Sequence, residues 1–368
     1  MISRFVKYRL WVIKMKVVQV IPEFGIGGAE TMCANLSIEL HKQGHDVLVV
    51  SLYPYQSAIT KRIEENQVQI VYLNKKSGID FSIISALADL MRQFRPDVVH
   101  THLYAGKYAH IAASMVGIQR KVHTIHNIAS KDGGKVEQAA NYFLFKLLGV
   151  TPVSLSTAVQ KTVLERYGIS SSKSPIVWNG VPLDHCVPIQ EYSVDAARFI
   201  HVGRFTEAKN QKTLIRAFLQ LHGQYPGIML NLYGEGEGKP ACEELVRQNS
   251  AEGYIHFCGV TDDVYSALSQ ADVFILPSLY EGMPMTLIEA MGTGLPIITT
   301  SVGGIVDMLK DGESALFVDT DADSIAQGIM KLAGDSDLRK KLGTAALQRS
   351  KDFSVEEMAK KYCEIYSK

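Results

Sequence analysis

The sequence predicts an α/β chain of two doubly wound, parallel-sheet domains facing a central cleft. Three observations carry this. Short β-branched runs alternate with amphipathic helical stretches; the runs are apolar nearly throughout, as strands buried on both faces must be; and the pattern begins afresh near Arg198. At 368 residues the chain is also longer than one compact core usually supports.

In the first half the run KVVQVIP precedes a helix from about Ala29 to Gln43. The strands HDVLVVSLY and QIVYL follow, then a helix through Ile83 to Phe94, then DVVHTH and KVHTIH. The second half repeats this with RFIHVGR, a helix through Leu214 to His222, GIMLNLYG, YIHFCG, DVFILP, PIITT and ALFV. Between them VPLDHCVPIQEYSVDAA has neither period and reads as a linker. Val355, Met358, Tyr362 and Ile365 at helical spacing predict a closing helix. The expected division is a basic leader over 1–14, a first domain over 15–185, a linker over 186–197, a second domain over 198–352 and the closing helix over 353–368. In such folds ligands gather at the carboxyl ends of the strands and between domains.

Lysines plus arginines and aspartates plus glutamates number 38 each, which argues against a nucleic-acid partner. The five cysteines are scattered with no C-x-x-C pair, so neither a disulfide framework nor a zinc knuckle is suggested, and a reducing cytoplasm fits. No apolar run approaches the roughly 20 residues of a membrane span. Residues 1–14 place Arg4, Lys7, Arg9 and Lys14 among Phe5, Tyr8, Leu10, Trp11 and Val12. Two readings stand open: a helix lying on the inner face of the membrane, or a leader ahead of a second start at Met15.

The densest chemistry follows DVFILP, where Ser278-Leu-Tyr280 leads into Glu281-Gly-Met-Pro284 and a helical run stopped by Gly292-Thr-Gly294. Free backbone N–H groups of Met285, Thr286 and Leu287 at a helix N-terminus suit a diphosphate. Glu281 then lies on the loop before that site and can face a sugar, while Glu289, inside the helix, can accept hydrogen bonds from ribose. As a bare pair of carboxylates they read equally as a helix-dipole charge and a surface residue. Arg204 and Lys209, on the loop leaving RFIHVGR, supply two cations able to neutralise a departing diphosphate.

Together GIGGAE, VGRFTEAKN, LYGEG, ADVFILPSLYEGMPMTLIEAMGTGLPIITTSVGG and the closing helix resemble the GT4 family of retaining glycosyltransferases, whose GT-B fold has two Rossmann-like domains. The match covers nearly the whole chain, and its E-x7-E segment with flanking PS, EG and EAM-x-x-G-x-P is specific. The resemblance implies that Arg204 and Lys209 bind the diphosphate, Glu281 the donor sugar and Glu289 the ribose. It implies that the backbone of Met283, Pro284, Met285, Thr286 and Leu287 holds phosphate and sugar, and that main chain near Val260 meets the nucleobase. Gly27 and Gly28 resemble the loop that closes over the donor, though a tight strand-to-helix turn needs the same residues. His126, ending its strand, resembles the residue that contacts the donor sugar near the reacting carbon.

His100 and His102 share a face and raise a metal site, but no acidic third ligand has suitable spacing. The Asp-x-Asp matches Asp319–Asp321, Asp321–Asp323 and Asp335–Asp337 lie late in the chain, where aspartates before helical runs read as caps. No metal and no cofactor are expected. The resemblance implies a nucleotide diphosphate sugar as donor, taken here as a UDP-sugar, and a glycan or lipid-linked acceptor of a bacterial surface polysaccharide, held against the first domain near Lys107, Lys131 and Lys135. Anomeric configuration is expected to be retained without Glu281 acting as nucleophile. A dinucleotide-dependent oxidoreductase fits less well, because GIGGAE is not G-x-G-x-x-G and SLYPY lacks the acidic ribose ligand. A non-catalytic sugar-nucleotide-binding subunit, an epimerase and a phosphorylase are the remaining alternatives.

Overall fold

The computed structural model describes residues 14–25, 27–129, 134–193 and 198–368. The leader expectation falls on residues 1–13, outside that set; Lys14 pairs with Asp46 at 2.8 Å.

Strands β1 (Lys16–Ile21), β2 (Asp46–Ser51), β3 (Gln69–Tyr72), β4 (Val98–His102), β5 (Arg120–Ile125) and β6 (Thr151–Ser154) form one sheet in the order β3-β2-β1-β4-β5-β6. Strands β7 (Arg198–Val202), β8 (Met229–Tyr233), β9 (Ile255–Gly259), β10 (Val273–Leu276), β11 (Ile297–Thr299) and β12 (Leu316–Phe317) form a second, β12-β11-β10-β7-β8-β9. Every pairing is parallel. Counted from its own first strand, each sheet has the order 3-2-1-4-5-6 of a doubly wound Rossmann-like unit, so the predicted fold is present twice. The continuous apolar runs have the predicted cause: β2 and β10 are buried along almost their whole length by helices on both faces.

Helices missed in the sequence fill the crossovers of the first unit: Ala58–Glu65, Gly106–Met115, Lys135–Leu147 and Thr157–Tyr167. Their starts had local signals. Ser57 and Thr60 form a reciprocal capping box, and Ser156 accepts from the Val159 N–H. In the second unit Asp321 and Asp335 accept from the backbone N–H of Ser324 and Leu338, the cap role read from the Asp-x-Asp segments.

The last helix, Val355–Tyr366, packs against Gly28–Lys42 of the first unit, burying Val355, Met358, Ala359, Tyr362 and Tyr366. Val355 and Met358 each contribute about 1.5–3 kcal/mol by such burial. Gly180 permits the approach, since a Cβ there would stand 2.5 Å from the Ser354 carbonyl oxygen. The chain therefore crosses from the second unit back to the first before it closes.

Candidate active site

The two sheets present their carboxyl ends to each other, and the loops leaving β1, β4, β5, β7 and β10 meet there. Helix Met285–Thr293 starts one residue later than a proline-first helix would: Pro284, with extended backbone, is the N-cap and Gly294, at φ +74°, ends it. Gly292 is not part of the stop. It lies inside the helix, where an added Cβ would come within 2.6 Å of Cys186 Sγ. A proline N-cap has no side-chain oxygen, so no side chain caps the first turn and its N–H groups remain available to an anion. Met283, Met285 and Leu287 are buried, and Thr286 is partly so.

Glu281 is held by two donors on one oxygen: Lys209 Nζ at 2.6 Å and Ser278 Oγ at 2.6 Å. Glycine is needed around it. A Cβ on Gly282 would stand 2.4 Å from the His126 carbonyl oxygen, and Gly303, at φ +54°, would bring one within 1.8 Å of the Glu281 carbonyl oxygen. The Glu281 turn is thereby pressed against the end of β5 in the other unit. Asn179 fixes the same segment from the first unit by donating from Nδ2 to the Met283 carbonyl at 2.8 Å.

Arg204 reaches across the cleft: a Cβ on Gly27 would lie 3.3 Å from Arg204 Nη2 and 2.4 Å from Glu30 Oε2. Burial raises the Glu30 carboxyl, and the Arg204 charge opposes that rise. Gly28 faces Met285, whose Cγ would lie 3.8 Å from an added Cβ. The glycine pair thus sits between Arg204 and the start of helix Met285–Thr293.

Glu289 is buried, and its carboxylate accepts no hydrogen bond from a described residue. Burial pushes it up to about 7, with the Arg62 charge lowering it. Val260 follows β9 and is 43% exposed at the rim.

His126 follows β5, partly exposed, and its Nε2 lies 3.0 Å from His102 Nδ1. Burial first, and the His123 charge second, lower His126 to about 3, so its imidazole is neutral near pH 7. Both ring nitrogens of His100 and of His102 are engaged by protein partners.

Near Lys107 the first unit has a cavity of about 320 Å³ lined by Leu103, Tyr104, Lys107, Glu137 and Asn141 among others. Lys107 Nζ pairs with Glu137 at 2.7 Å. Leu103 stands at φ +51° beside His102, an uncommon conformation for leucine at the mouth of a cleft. Lys135 starts the next helix; Lys131 is outside the described residues.

Residues that sequence reading missed have modest signals. Glu30 was in view as the last letter of GGAE, and Ser278 as the serine of PS. Asn179 lies in a run without period, where nothing marks it.

Two facing Rossmann-like units with cations, a bare helix N-terminus and buried carboxylates at their junction define a GT-B type of protein. A sequence model of Glycosyltransferase Family 4 matches residues 26–185, and one of Glycosyl transferases group 1 matches residues 190–349. The chain belongs to the family 4 glycosyltransferases. It is 24% identical to N-acetyl-alpha-D-glucosaminyl L-malate synthase of Bacillus anthracis over 93% of this chain and 94% of that one. It is 24% identical to the UDP-Gal:alpha-D-GlcNAc-diphosphoundecaprenol alpha-1,3-galactosyltransferase of Escherichia coli over 70% and 71%. In fold it resembles HepE of Anabaena, solved with UDP and glucose, at a TM-score of 0.83 and 17% identity, over 96% and 99% of the two chains. Among the described residues no helix is long and apolar enough to cross a membrane.

Proposed function

We propose that the chain is a retaining glycosyltransferase that moves a sugar from a UDP-sugar to a glycan or lipid-linked acceptor in the synthesis of a surface polysaccharide. One observation carries the reading. Lys209, Glu281 and the uncapped N-terminus of Met285–Thr293 converge, with Arg204 placed beside the facing glycine loop.

In this mechanism the bond between the anomeric carbon and the diphosphate oxygen breaks first, and Arg204, Lys209 and the helix N–H groups stabilise the charge that develops. The acceptor hydroxyl attacks from the same face, and the departing phosphate oxygen takes its proton. Glu281, held by Lys209 and Ser278, orients the donor sugar rather than attacking it. Glu289 receives the ribose hydroxyls, His126 meets the sugar, and the main chain near Val260 meets the base. The electrostatic work falls to protein groups, so neither metal nor cofactor is invoked. The acceptor sits in the Lys107–Glu137 cavity. The E. coli relative's name specifies a UDP-sugar and a diphosphoundecaprenol-linked acceptor, and by that analogy this chain works at the cytoplasmic face of a membrane.

Thermal-shift screening against UDP, GDP and ADP tests the donor, because a ligand that binds only the folded state raises its stability. UDP should give the largest shift; an equal response to all three rejects the base assignment. The anomeric configuration of the product, read by NMR with the donor so found, tests retention, and inversion excludes the mechanism.

A further inference from the structure

Beneath His126 runs a buried hydrogen-bonded network with no counterpart in the roles assigned so far. Gln19, the one polar residue between the ends of β1, is fully buried at the middle of the first sheet. Its Oε1 lies 3.0 Å from His102 Nε2, and its Nε2 donates to the Tyr366 hydroxyl at 3.4 Å. From Tyr366 a second branch runs to His100 Nδ1 at 2.7 Å, from His100 Nε2 to Thr124 Oγ1 at 2.7 Å, and on to the Tyr362 hydroxyl at 2.7 Å. The first branch continues from His102 Nδ1 to His126 Nε2 at 3.0 Å.

The polarity of the first branch follows from the chemistry of its members. An amide oxygen only accepts, so His102 must carry its proton on Nε2. Burial, first of all, drives His102 well below its ordinary value, so its ring is neutral and Nδ1 is a lone pair. His126 must then donate from Nε2, which leaves its Nδ1 unprotonated. Among the described residues Nδ1 has no protein partner, and it belongs to the ring at the cleft end of β5.

We propose that Gln19 and His102 are positioning residues that lock His126 in the Nε2–H tautomer, so that Nδ1 faces the cleft as a hydrogen-bond acceptor for a hydroxyl of the donor sugar. The last clause rests on the function proposed above; the tautomer does not. The amide is the source of direction: with its oxygen toward His102 it fixes one orientation of the whole branch, whereas an apolar side chain would leave both tautomers of His126 open. The closing helix takes part through the Tyr366 hydroxyl, which accepts from the amide's Nε2 while the amide oxygen meets His102.

The experiment is nitrogen-15 NMR of histidine-labelled full-length protein, with His126 assigned through the His126→Gln variant. The wild type should show a protonated Nε2 and an unprotonated Nδ1. Gln19→Leu should turn this into a mixture, and Gln19→Glu, whose carboxyl keeps an acceptor toward His102, should restore it. A protonated Nδ1 in the wild type, or an unchanged pattern in Gln19→Leu, overturns the proposal. If Gln19→Leu does not fold, His102→Leu, which removes the acceptor facing His126 Nε2, is read the same way, and the wild-type pattern alone still decides the tautomer. Adding UDP-glucose separates the two readings: movement of the His126 Nδ1 signal supports the sugar contact, and its absence with the tautomer intact removes that contact alone. With a donor that turns over, Gln19→Leu should lower kcat on the order of tenfold to a hundredfold, the range found for outer partners of metal-bound histidines, with KM for the acceptor unchanged.

Discussion

Lys209 Nζ and Glu281 Oε1 stand 2.6 Å apart, an ion pair formed between the loop after β7 and the loop after β10. The lysine is 18% exposed and the glutamate 9%. A pair so little solvated ties two loops whose separate placement would leave the site unformed.

Lys209→Ala removes a cation and leaves the buried carboxylate with Ser278 as its remaining donor. Turnover should fall by about 10²–10³, the usual loss on removing one preorganised group that stabilises developing charge. Arg204→Ala should lose about 3 kcal/mol of transition-state stabilisation by the same reasoning. Steady-state kinetics checks both, and near-normal turnover in either variant removes that residue from the diphosphate site.

Glu289 makes stability depend on pH. Its folded value, about 7, is raised by burial against the Arg62 charge, whereas the unfolded chain sheds this proton near about 4.3. Between those values the folded state holds more protons, so stability falls as pH rises, by up to roughly 4 kcal/mol once both forms are ionised. Glu289→Gln should therefore gain in Tm over wild type as pH climbs through this window and level off above it. A constant difference across the window contradicts the assignment.

The same carboxyl gives a binding signature. Ribose hydroxyls bonded to an ionised Glu289 favour that form, so UDP binding near pH 7 should release a fraction of a proton. Calorimetry in buffers of different ionisation enthalpy measures it, and Glu289→Gln should abolish it. Buffer-independent enthalpy in the wild type would falsify the ribose role.

Gly282 sets how closely the two units meet, and Gly303 how closely the loop after β11 meets the Glu281 turn. Gly303→Ala must hold an alanine at φ +54° and move the Glu281 carbonyl; the left-handed conformation alone costs roughly 1–2 kcal/mol. Gly282→Ala meets the His126 carbonyl in the opposite unit. Both should lower kcat/KM, the first with a lower Tm and the second with a larger radius by small-angle scattering. A Gly282→Ala protein of unchanged shape and activity shows that the approach is not needed.

Much of this molecule was legible from residue pattern. Apolar runs such as DVLVVS and VFIL identified strands covered on both faces, and the restart at Arg198 disclosed the second unit. The helices Ala58–Glu65 and Lys135–Leu147 escape a reading by apolar period because each buries few side chains, Thr60 and Ile63 in the first and Asn141, Leu144 and Phe145 in the second. In the site, cations and carboxylates next to strand ends could be read off. Gln19, Asn179 and the tyrosines of the closing helix could not, because their partners lie far off in sequence: Gln19 meets His102 and Tyr366, and Asn179 meets Met283. Pattern reports the period of an element, and those contacts depend on how separate elements cross.

The return of Val355–Tyr366 to the first unit has a consequence for synthesis. A ribosome delivers the strands β1 to β6 long before it delivers Tyr362 and Tyr366, whose hydroxyls occupy the polar centre of that same sheet. The first-made unit must therefore wait, with His100 and Thr124 lacking their tyrosine partners, until translation has passed the entire second unit. Completion of the older half is timed by the youngest segment. A polypeptide stalled anywhere before residue 355 would hold an unfinished first unit.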